Sequence, residues 1–160
     1  MVVRMSNGST VIRAVPEGFA EKVRREVLAP RVVVEEACSA PCRVCLEDAQ
    51  VGEAVRLATY RPFDRPVAYA TSGPIFVHER RCTPYAQGAA GAVPDALARR
   101  LLSVRAHGAD GAMLACDVVD GRELRALAAR FFEDTRATVL HVHHARAGCF
   151  ACVMERERGA

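Results

Sequence analysis

The chain has 160 residues, 51% of them hydrophobic and 26% charged, with a formal net charge of +3. These figures suit a single domain over 1–160 and exclude a disordered or collagen-like chain. No apolar run approaches the roughly 18 residues needed to span a bilayer, so no membrane partner is expected. All the basic residues except Lys22 are arginines, but they alternate with acids, as in Glu155-Arg156-Glu157-Arg158. With no basic stripe, nucleic acid is not an expected partner.

Met1 to Gly8 lacks the apolar core and small-residue cleavage site of a secretory signal, and the chain is read as cytoplasmic. In a reducing compartment its 7 cysteines suit thiols or metal ligands better than disulfides, and an odd number cannot all pair internally. Thr10 to Val15 is β-branched enough for a first strand, and Pro16 then opens a helix with Phe19, Val23 and Val27 on one face. Arg31 to Glu35 reads as another strand. Across Cys42 to Tyr60, Gly52 offers a turn and Val55, Leu57 and Thr59 alternate with Arg56 and Ala58, which predicts a hairpin.

Pro62, Pro66 and Pro74 keep the next stretch extended and out of any central strand. Ile75 to His78 is a short strand leading into a loop with Cys82 and Tyr85. Gln87 to Val93, nearly all Gly and Ala, is read as a surface loop, and a helical turn follows Pro94. Leu101–His107 and Ala112–Val119, joined through Asp110-Gly111, predict a hairpin in which Cys116 is a core thiol. Leu124, Leu127, Ala128 and Phe131 then form the apolar stripe of a second helix. Ala137–His143 and Cys149–Met154 predict a last hairpin. The expected fold is α+β: a mainly antiparallel sheet built from hairpins, with two helices packed on one face.

Several short motifs in one order, Pro41-Cys-Arg-Val-Cys-Leu46, Tyr60-Arg-Pro-Phe63, Gly73-Pro-Ile-Phe-Val-His78, Cys82 with Tyr85, and Val142-His-His-Ala-Arg-Ala-Gly-Cys149, resemble the bacterial family catalogued as domain of unknown function 1203. The resemblance covers 36–156. It implies a stand-alone bacterial domain without an established activity. The family's last motif reads Val-His-Val-Arg-Asn-Ala-Arg-x-Gly-Cys, and His143 and His144 stand here in place of its Arg-Asn pair.

Cys42-x-x-Cys45 can aim two thiols at one cation from a tight turn, and zinc is the commonest ion held this way. Two further ligands are needed, and His78 with Cys82 are the nearest candidates, giving a metal set of Cys42, Cys45, His78 and Cys82. Cys149-x-x-Cys152 has the same spacing but lies in a predicted strand, where residues three apart point to opposite faces. His141 and His143 share a strand face and could serve as a base to a Cys149 nucleophile, with Arg146 holding an anionic substrate. Two functions therefore stand side by side: a binding or accessory domain with a Cys/His cluster, and a small cysteine-dependent enzyme. Phosphate-binding, dinucleotide-binding, zinc-protease and serine-hydrolase motifs are absent from the sequence.

Overall fold

The computed structural model describes residues 9–26, 28–86 and 91–157. Its strands form two antiparallel sheets. The larger contains β1 (Thr10–Arg13), β5 (Leu101–Gly108), β6 (Met113–Asp120), β7 (Ala137–His144) and β8 (Phe150–Arg156), in the order β1-β8-β7-β5-β6. The smaller has β2 (Arg31–Val33), β3 (Ala54–Tyr60) and β4 (Gly73–His78) in sequence order. Pro74 sits in β4, an edge strand, where a missing backbone N–H costs little.

Helix α1 (Glu17–Arg25) begins after Pro16, with Glu17 in its first turn and Arg24 and Arg25 in its last, complementing the helix dipole. A short helix α2 (Asp95–Ala98) precedes β5, and α3 (Leu124–Phe131) follows a 3₁₀ turn at Gly121–Glu123. Gly121 is required here: any side chain would collide with the Leu97 carbonyl, and its N–H donates to Arg100 O at 2.8 Å. This close approach fixes the end of α2 against the large sheet.

The two helices do not share one packing face as expected. Leu124, Leu127 and Ala128 of α3 are buried with Leu102, Val104, Leu140, Val142 and Met154. Ala20 and Val23 of α1 are buried in a second cluster with Val44, Ile75, Val77 and Phe150. The α1 stripe position Val27 lies outside the described residues, as do Met1–Gly8 and the Gln87–Ala90 part of the expected loop. Each fully buried Leu, Val or Met contributes about 1.5–3 kcal/mol, so both clusters matter to stability.

The hairpins β5–β6 and β7–β8 form as expected. The one predicted around Gly52 does not. β3 pairs with β2 (Val32 opposite Val55) and with β4, leaving no edge for a strand before Gly52. Residues 34–53 instead form a long excursion within the β2–β3 hairpin, closed by Val34 N to Glu53 O and Gly52 N to Val34 O. Gly52 does provide the turn, at φ +88°. Cys116 is exposed on edge strand β6 and is not a core thiol.

Candidate metal centre

The excursion carries Cys42 and Cys45 on a tight turn. Leu46 N donates to Cys42 O at 3.0 Å and Cys42 N to Glu47 O at 2.9 Å, while Leu46 takes a left-handed conformation at φ 56°. Such a turn bends both thiols to one side. Arg43 N donates to Phe76 O at 3.0 Å, docking the turn beside β4. β4 ends at His78, whose N–H donates to Cys42 Sγ at 3.4 Å, and the chain continues to Cys82.

The ligand atoms of Cys42, Cys45, His78 and Cys82 all lie within 4.8 Å of one another. Cys42 Sγ is 4.0 Å from Cys82 Sγ, and Cys45 Sγ is 3.5 Å from His78 Nδ1. Tetrahedral zinc with bonds of about 2.3 Å to sulfur and 2.0–2.1 Å to nitrogen has ligand–ligand edges of roughly 3.5–3.8 Å. The donor set therefore fits in both chemistry and spacing. Cys42, Cys45 and His78 are buried and Cys82 is half-buried.

The electrostatics favour one anion at the centre of the cluster. Hydrogen bonds from Cys45 and Cys82 hold Cys42 far below the usual thiol range, outweighing its burial. The same hydrogen bonds to Cys42, together with burial, push Cys45 and Cys82 upward. The contact with Cys42 likewise raises His78, against the opposing effect of burial. With Nδ1 facing the thiols, His78 Nε2 is left 3.5 Å from Glu53 Oε2. A carboxylate behind a ligating imidazole fixes its orientation and tautomer. Glu53 is itself held by Gln50 N at 2.8 Å and Arg80 at 2.7 Å.

The second Cys-x-x-Cys separates its thiols. Cys152 is fully buried in the α3 cluster, and burial pushes it up to about 12. Cys149 sits before β8 and lines a cavity of about 440 Å³ with Arg43, Arg146 and His144. Arg43, which follows Cys42 in the turn, is almost fully buried, donating to Phe150 O at 2.6 Å and to Cys149 Sγ at 3.0 Å.

His141 and His143 do share a face, but they meet other partners. His141 packs against Phe63, with centroids 4.4 Å apart, and His107, at 4.9 Å. His143 Nδ1 lies 3.1 Å from Gly148 O. Burial, reinforced by neighbouring positive charge, drives them down to about 3 and about 4, so both are neutral near pH 7. Among the described residues no hydrogen bond joins either imidazole to Cys149. The sequence reading missed Arg43 and His144 at this cavity; the signal available for His144 was strand alternation, which turns it away from His143.

Together the two antiparallel sheets and the four-residue cluster define a small α+β domain whose cysteines and histidine could hold a metal ion. A family model described as Protein of unknown function (DUF1203) matches residues 39–156, and the chain belongs to that family. No curated protein and no solved structure matches it.

Proposed function

We propose that the protein is a small binding domain braced by one zinc ion, held by Cys42, Cys45, Cys82 and His78 Nδ1. The observation that carries this reading is the approach of four zinc-type donors to within 4.8 Å, drawn from two segments far apart in sequence. Four protein ligands close the coordination sphere, which is the pattern of a structural rather than a catalytic zinc. The ion ties the excursion to the end of β4 and thereby holds Arg43 beneath the neighbouring cavity. Arg24, with one guanidinium nitrogen 3.8 Å from Cys82 Sγ, offsets part of the negative charge of three thiolates around a divalent ion.

Elemental analysis of the purified, tag-free protein tests the reading, with free thiols counted by mass spectrometry on the same sample. About one zinc per chain is expected, with Cys42, Cys45 and Cys82 protected from alkylation until a chelator removes the metal. Metal-free protein whose three thiols alkylate freely would reject it. The cysteine-dependent enzyme is the less supported alternative: Arg43 donates to Cys149 Sγ at 3.0 Å, but among the described residues neither His141 nor His143 is hydrogen-bonded to it as a base.

A further inference from the structure

We infer that the cavity between the excursion, α2 and the β7–β8 turn binds a small molecule through an anionic oxygen head, a phosphate or a carboxylate. This goes beyond the metal centre, because most of the lining comes from other elements. At about 440 Å³ the cavity is within the size range of small-molecule sites. Four arginines line it: Arg43 from the excursion, Arg99 and Arg100 after α2, and Arg146 on the turn. The one acidic lining residue, Asp120, is already held by Arg122 at 2.9 Å.

Two of the arginines are largely committed within the protein. Arg100 donates to both carboxylate oxygens of Asp48 and to the Cys38 and Ala96 carbonyls, and Arg99 to Asp95 O at 3.0 Å and Cys38 Sγ at 2.7 Å, which leaves Arg43 and the exposed Arg146 as the lining arginines without a carboxylate partner among the described residues. A guanidinium has five N–H groups. Arg43 uses three, on Phe150 O, Pro41 O and Cys149 Sγ, and keeps two for a ligand.

His144 supplies the independent observation. It lines the cavity, is only 6% exposed, and among the described residues neither ring nitrogen has a hydrogen-bond partner. A buried polar group left unpaired costs about 1–3 kcal/mol, which a ligand oxygen would recover. Pro41, Phe76 and Leu101 give the cavity apolar walls, so a head attached to a flat or apolar body fits better than a bare ion.

The test uses three probes, inorganic phosphate, phenyl phosphate and benzoate, titrated by calorimetry at fixed ionic strength. In parallel, iodoacetamide labelling of Cys149 is compared with that of exposed Cys116, which lies outside the cavity. Saturable binding of phenyl phosphate or benzoate is expected, tighter than inorganic phosphate. Cys149 labelling should slow in proportion to occupancy while Cys116 labelling stays constant. Arg146→Gln should weaken binding about tenfold, the loss of one charge-assisted hydrogen bond, and His144→Leu should weaken it in a protein that still unfolds cooperatively. The tighter of phenyl phosphate and benzoate assigns the head group. No saturation by any probe overturns the inference, and so does binding that leaves Cys149 unprotected or ignores Arg146→Gln. Zinc content measured on the same sample keeps this outcome separate from that of the metal reading.

Discussion

Two stretches of this chain carry the same spacing, Cys42-x-x-Cys45 and Cys149-x-x-Cys152, and the fold uses them in opposite ways. The first lies on a hydrogen-bonded turn, so its thiols converge on His78 and Cys82. The second straddles the entry into β8, so one thiol opens on a cavity and the other is sealed in the core. A ligand pair is thus defined by the backbone between its members. Two intervening residues in a turn bring the side chains together, whereas two in a strand send them apart.

The comparison can be broken most forcefully at Cys42. Cys42→Ser should release the metal and lower stability by at least about 3 kcal/mol, a fall of roughly 6–12 °C in Tm for a domain of this size. Thermal unfolding with zinc analysis checks it. At Cys152, which contributes only packing, serine buries a hydroxyl among apolar groups. A loss of about 1–3 kcal/mol is expected, with zinc content unchanged.

A third test concerns pH. His141 has its folded-state pKa near 3, below the ordinary value of 6.5. Between those values the unfolded chain binds the extra proton, so stability is full above about pH 6.5 and declines as the solution is acidified towards pH 3. The wild-type protein should become less stable through this window, and His141→Leu should reduce the slope by up to about 1.4 kcal/mol per pH unit. Equal slopes in chemical denaturation at pH 7, 6 and 5 would show that His141 is not buried neutral. The smallest effect belongs to Cys149→Ser, which should hold its zinc and change stability by less than about 0.5 kcal/mol.

Where structure follows from neighbours in sequence, the residues announced it. Asp110-Gly111 between two apolar runs gave β5–β6, and the stripe from Leu124 to Phe131 gave α3. The pairing of β2 with β3 was hidden, because it closes across the excursion from Val34 to Glu53, and no local pattern states which strand β3 will meet. The four clustered donors could be named from ligand chemistry and the scarcity of other candidates. The direction of Arg43 could not, since nothing in Cys-x-x-Cys says where an intervening side chain points. His144 was similarly obscured by its neighbour His143, although consecutive strand residues face opposite ways.

The first described strand pairs with the last: Thr10 lies opposite Arg156, and Arg13 meets Glu155 across 142 positions of sequence. Strand β1 therefore has no partner on a ribosome until nearly everything described here has been made. Contacts of such long separation slow folding, because loop closure must precede any gain from pairing. β7 and β8, adjacent in sequence, can form early, and Val11 and Ile12 are left exposed to solvent or chaperone until β8 offers its edge. The strand made first is thus the last that can join this sheet.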